Sequence, residues 1–248
     1  MKKIWNRDVI KYFAMLTMLL NHISTIFMKS GSFLAELFLN LGYFTAITMC
    51  YFLVEGFQYT HSKKNYAIRL AIFALVSEIP YCLAFTNNGL LEFRELNMLF
   101  TLLICFGILM AVEKVSNKVI RATCILILIL FSSVCDWAFL APVFTLLFLW
   151  SKGSKSKTGW AFIISMLLFG GLNFAGGLGR FSMETNLIYA LGSMMGIALA
   201  GIVIVIFYNG RRIEKGSVFS KWFFYWFYPL HLLLLGILRV IYMGISQM

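Results

Sequence analysis

The chain has 248 residues, 61% of them hydrophobic and 12% charged, with a formal net charge of +11. Soluble domains run at about 45–50% apolar and about 25% charged, so too little polar surface is present to coat a water-soluble body. That balance excludes a soluble globular fold and predicts an all-α, polytopic integral membrane helix bundle.

Apolar runs near the roughly 20 residues that cross a bilayer as a helix recur along the whole chain. In order they predict nine transmembrane helices, at about 8–28, 33–60, 66–86, 95–113, 118–134, 137–151, 158–176, 186–208 and 221–243. With the amino terminus in the cytoplasm, the 21 basic residues sort by side: all but Lys29, Arg94, Arg180 and Arg239 fall on the cytoplasmic face. That asymmetry is the positive-inside pattern. The basic excess therefore reflects topology and anchoring to membrane lipid, and requires no nucleic-acid partner. The expected location is the cell membrane, as a multi-pass protein.

The first run follows "MKKIWNR". It is longer than the 7–15-residue apolar region of a signal peptide and lacks a small-residue cleavage site, so it is expected to stay as a permanent helix. Near its end stand Asn21 and His22. At about 1.5 Å rise per residue, His22 reaches roughly 20 Å up, in the outer part of the bilayer. The second run carries Glu55 deep on the cytoplasmic side, with Tyr51 and Tyr59 on the same face. His61, Lys63, Lys64 and Arg69 follow around the start of the third. Glu78 in that run reaches a level similar to His22, two residues before Pro80. Asn97 and Thr101 share one face of the fourth at i, i+4, and Asp136 stands at the outer turn before the sixth.

Five cysteines, at 50, 82, 105, 124 and 135, lie mostly inside apolar runs without CxxC spacing, which fits reduced packing residues and no metal site. Cys82 and Cys135 stand towards the outer ends of their helices, where they could pair. "GGLNFAGGLG" (170–179) is dense enough in glycine to end a helix early or turn back into the protein, while Gly192, Gly196 and Ala200 form a small-residue stripe for close helix packing. Pro80, Pro142 and Pro229 are expected to interrupt helices, and Pro229 stands two residues before His231 in the last run.

Ionisable residues inside spans are costly and by default functional, although a lone intramembrane histidine also serves as an ordinary hydrogen-bonded packing residue. Two polar groups emerge. An outer one holds His22, Glu78 and Asn97, with His231 nearer mid-membrane. A cytoplasmic one holds Glu55, Tyr59, His61, Lys63, Lys64, Arg69, Arg211 and Arg212.

The segments carrying these residues are "NHIS", "YFLVEGFQYTHSKKNYAIRLAIFALVSEIPYCLAF" (51–85), "NMLFTLLICFGIL" (97–109) and "WFFYWFYPLHLLLLGIL" (222–238). Together they resemble the TraX family of conjugative-transfer membrane proteins. The likeness is specific over the amino-terminal half and the final run, and rests on hydropathy alone over 114–220.

The resemblance implies amino-terminal acetylation of pilin subunits, within a wider group of transmembrane acyltransferases that move acetyl groups from cytoplasmic acetyl-CoA to acceptors across the membrane. In that group a first-helix histidine is essential, a role that falls on His22. Where the family pattern has an acidic residue before it, this chain has Asn21. An amide can orient an imidazole but cannot stabilise imidazolium, which leaves Glu78 as the candidate carboxylate. Imidazole chemistry agrees, because its unperturbed pKa lies nearest physiological pH.

On this reading residues 1–248 form a single transmembrane acyltransferase-like domain, with His22, Glu78 and Asn21 catalytic. Tyr59, Lys63, Lys64, Arg69, Arg211 and Arg212 would hold the phosphates of acetyl-CoA as co-substrate. Asn97, Thr101 and His231 would meet the extracytoplasmic acceptor, a pilin-like peptide or a surface glycan. A transporter or flippase using His and Glu as a proton relay is an alternative, as is a non-enzymatic membrane assembly factor.

Overall fold

The computed structural model describes residues 4–86, 91–211 and 217–246. Within them lie nine α-helices: α1 (Arg7–Phe27), α2 (Phe33–Tyr59), α3 (Lys63–Phe85), α4 (Met98–Lys114), α5 (Lys118–Phe131), α6 (Leu140–Trp150), α7 (Lys155–Gly177), α8 (Met183–Ile202) and α9 (Ser217–Ser246). They follow the apolar runs closely. Six helical stretches are long and apolar enough to cross a membrane, those of α1, α2, α3, α7, α8 with its extension, and α9. The other three are shorter: α4 has 17 residues, α5 has 14 and α6 has 11.

The chain divides into two compact units, residues 1–48 with 147–221, and residues 49–146 with 222–248. In the first, α1 packs on α2 through a polar ladder. Ala14, Thr17, Asn21 and Ser24 recur at the i, i+3, i+4 spacing that keeps residues on one helix face. Thr17 and Thr45 hydroxyls meet at 3.0 Å, and the Ser24 hydroxyl donates to Ala35 O at 2.7 Å. Phe13 packs edge-on against the fully buried Phe44. The expected small-residue stripe does bring helices together. A Cβ on Gly196 would stand 2.4 Å from Asn40 O and 2.7 Å from Phe44 N, so α8 lies backbone to backbone against α2.

The glycine-dense stretch does not break α7, which ends at Gly177, one residue past the predicted span end at about 176. The helix runs to Gly177 because Gly170 and Gly177 make room for α8 side chains: a Cβ on the first would meet Met194 and one on the second would meet Asn186. The turn comes only at Gly179, with φ +75°. Beyond Ile202, α8 widens into a π-helical turn (Val203–Phe207). There the segment before α1 is pinned: Trp5 N–H donates to Phe207 O, Asn209 N–H to Trp5 O, and Arg7 N–H to Arg211 O.

In the second unit, α4 packs against α3 and α5. Phe106 of α4 is met edge-on by Phe57 and Tyr66, each with centroids 5.1 Å away. α9 lies on α3, where Phe73 stacks on Tyr225 at 4.8 Å and takes Trp226 edge-on at 5.3 Å. Pro80 and Pro229 stand inside α3 and α9 as expected. Pro142 instead falls in the first turn of α6, where a missing N–H costs nothing. α6 also starts later than the hydropathy indicates. Residues 136–139 form a turn in which Trp137 and Phe139 adopt positive φ, 57° and 59°.

Candidate functional site

Asn21 and His22 differ in their surroundings although they are neighbours. Asn21 lies on the α2-facing ridge of α1 and donates its amide N–H to Leu39 O at 2.8 Å. Gly42 of α2 gives it room, since a Cβ there would stand 2.1 Å from the Asn21 Cβ. Its amide is therefore committed to joining α1 to α2, a structural role that the sequence reading did not assign. His22, one residue on, is turned about 100° round the helix from that ridge. It is half-buried and has interactions of its own.

Glu78 belongs to the second unit, on α3. There the structure brings together two of the expected residues. Both the backbone N–H and the side-chain amide of Asn97 donate to one Glu78 oxygen, at 3.2 and 2.7 Å. The Asn97 amide also donates to Ala74 O at 2.8 Å, while its own oxygen caps α4 by accepting from Leu99 N–H. Asn97 has no exposed surface. Thr101, equally buried, donates to Asp136 O. Asn97 and Thr101, two of the three candidate acceptor-binding residues, thus spend these hydrogen bonds on fixing α4 to α3 and to the turn before α6.

The same corner holds residues that the sequence reading passed over. Tyr81 donates to Glu95 at 3.0 Å, and Leu96 exchanges backbone hydrogen bonds with Val134 and Asp136. Burial, then the nearby Glu95 charge, push the Asp136 carboxyl up to about 7, opposed by the Trp137 N–H. Burial likewise raises the Cys135 thiol to about 11. The signal for Glu95 was its place two residues before the Asn97 cap. All five cysteines are free thiols, Cys82 and Cys135 included. No cluster of metal-ligating side chains occurs among the described residues.

His231 is buried on α9, with Nδ1 2.7 Å from Phe227 O and its ring stacked on Phe227 at 4.7 Å. Two residues after Pro229, its ring nitrogen is thus engaged by a carbonyl of its own helix. At the other end of the second unit, Lys63 pairs with Glu113 and lies 4.4 Å from the centre of the Phe57 ring. Its charge is already neutralised. Tyr59 is 77% exposed and Lys64 is exposed. Arg69 is half-buried, its guanidinium 5.7 Å from the centre of the Tyr66 ring. Arg211, in the first unit, is exposed, with its N–H on Asn209. Arg212 lies outside the described residues.

The comparisons extend the likeness beyond the segments that first suggested it. The "TraX protein" family matches residues 6–239. A Dichelobacter nodosus protein named "Probable fimbrial assembly protein FimC, serogroup H1" is 27% identical over 234 residues, 91% of this chain and 92% of that protein. No solved structure matches. The family match runs through residues 114–220, where hydropathy alone had spoken, and takes in α1 to α8 and most of α9. This chain belongs to the TraX family.

Proposed function

We propose that the protein is an integral-membrane acetyltransferase of the cell membrane, with nine spans and a cytoplasmic amino terminus. It takes acetyl groups from cytoplasmic acetyl-CoA to an amine or hydroxyl at the outer side. The observation that carries this reading is His22 itself: a half-buried histidine on the first helix of a TraX-family chain, in the place where the resemblance puts the essential imidazole. The name of the relative, a fimbrial assembly protein, favours a pilin-like peptide over a surface glycan as the acceptor.

In the reaction, the neutral His22 imidazole takes the proton from the attacking amine or hydroxyl as the new bond to the acetyl carbon forms. The carbon–sulfur bond then breaks and the proton passes to the departing thiolate. Asn21 acts through α1: by tying it to α2, it fixes the position of the next residue. The phosphates stay in water at the cytoplasmic mouth, because they cannot enter hydrocarbon.

The test is acetyl transfer from labelled acetyl-CoA by purified protein. His22→Ala should lose at least about 100-fold in rate, the lower range for positioned general-base catalysis, while its thermal unfolding stays close to wild type. Undiminished turnover in that variant would end the proposal. A second reading, a non-enzymatic assembly factor, is favoured by the structural employment of Asn21, Asn97 and Thr101. It expects no thiol release from acetyl-CoA by the wild type.

A further inference from the structure

Arg69 is an unusual residue for its place. It stands six residues into α3, about 9 Å along the axis, with Tyr66 and Phe73 at i−3 and i+4 on its face. Tyr225 of α9 brings its hydroxyl to the guanidinium, and Trp222, one turn earlier, stands 6.4 Å from both Phe73 and Tyr225. The Tyr66 ring centre lies 5.7 Å from the guanidinium, with the Phe73, Trp222 and Tyr225 rings packed on one another nearby. Its Nε is buried with no hydrogen-bond partner, and among the described residues no carboxylate pairs with it. Lys63, on the same helix, shows the contrast by pairing with Glu113.

The guanidinium is half-buried without a counter-ion among the described residues, and its unmet buried N–H carries a cost. The Tyr66 ring recovers only part of it, about 0.5–2 kcal/mol for contacts of this kind. What would complete the site is an anion with several acceptor oxygens, engaged by the planar fork of the guanidinium and by a phenol hydroxyl. Trp222, 44% exposed, would form its open wall.

We propose that Arg69 and Tyr225, walled by Tyr66 and Trp222, form a phosphate-binding site between α3 and α9. The proposal rests on the acyl-transfer reading only for the carrier of that phosphate, which would be the acetyl-CoA donor. It adds Tyr225 and Trp222 of α9, to which nothing else assigns a binding role. A phosphate belonging to an anionic lipid headgroup would share the chemistry, and the experiment separates the two.

The full chain is reconstituted in nanodiscs of phosphatidylcholine, and binding of CoA and of phosphate-free pantetheine is measured by calorimetry for wild type, Arg69→Gln, Arg69→Lys and Tyr225→Phe. Arg69→Gln is expected to weaken CoA binding at least about 10-fold, or 1.4 kcal/mol. Tyr225→Phe, which removes one oxygen and keeps the ring, should weaken it severalfold. Pantetheine should bind equally to all four proteins. In a parallel arm, phosphatidylglycerol is added to the discs and thermal stabilisation is read. Stabilisation of wild type by that lipid, lost in Arg69→Gln and Tyr225→Phe and without CoA binding, would uphold a phosphate site and remove the donor reading. Unchanged CoA affinity and unchanged lipid stabilisation in Tyr225→Phe and both Arg69 variants would overturn the site, even with acetyl transfer intact. Should Arg69→Gln fail to fold, the Lys and Phe variants carry the test.

Discussion

Asn97 joins three structural tasks in one side chain, so its removal has a calculable cost. Asn97→Ala removes the cap on α4, about 1 kcal/mol, and the bond to Ala74 O, of similar size. It also removes the 2.7 Å bond to the Glu78 carboxylate, which as a charge-assisted bond is about 1.5–3 kcal/mol. Polar contacts inside membranes measure lower than such figures, averaging about 0.6 kcal/mol, because the unfolded state finds partners too. The expected net loss is about 2–3 kcal/mol, read as a drop of roughly 5–10 °C in the melting temperature of the full chain in detergent. Asn97→Asp should be worse than Asn97→Ala, because it keeps the cap but sets a second carboxylate against Glu78. Combined with Glu78→Gln, Asn97→Ala should be non-additive by at least about 1 kcal/mol. A loss below about 0.5 kcal/mol, or strict additivity, would show that this corner does not hold α3 and α4 together.

Gly196→Ala should cost about 1–3 kcal/mol, the range for an overpacked contact, because its new methyl would meet the α2 backbone 2.4 Å away; a melting temperature equal to wild type would refute the close approach. Asp136 predicts a pH dependence. Its folded pKa of about 7 stands above the ordinary aspartate value of 3.8, so its contribution is fully present below the lower value and is lost as pH rises through about 7. Asp136→Asn should therefore melt above wild type at pH 8, with the gap closing towards pH 4; a constant gap across that range would contradict the assignment. Asn21→Ala should loosen α1 against α2, lowering thermal stability and, under the proposed function, acetyl transfer; an unchanged melt would deny Asn21 its packing role.

The helices were legible because their apolar runs are long and separated by capping residues. Asn6, Ser62, Asn97, Asn117, Ser154 and Ser182 all stand as side-chain caps at helix starts. The packing role of the α7 glycines was not legible because it is set by a neighbour: Gly177 admits Asn186 from α8, and nothing local announces that partner. The pairing of Glu78 with Asn97 was readable as a shared depth. That Asn97 would also bond Ala74 O and cap α4 was not, since capping geometry depends on where α4 begins. Lys63 looked like a phosphate ligand until Glu113, 50 residues away, met it. The isolation of Arg69 is a property of what surrounds it, and hydropathy has no access to that.

The division of the chain has a bearing on how the protein is made. One compact unit draws on residues 1–48 and 147–221, so its earliest helices wait while α3, α4 and α5 emerge. At ribosomal speeds of about 5–20 residues per second, that delay is on the order of 5–20 s. During it, the bare backbone groove of α2 at Asn40 and Phe44 stands ready for Gly196, a docking partner not yet synthesised. A nascent chain halted before α8 would carry that groove uncovered in the bilayer, as bait for quality-control proteases or for the wrong helix.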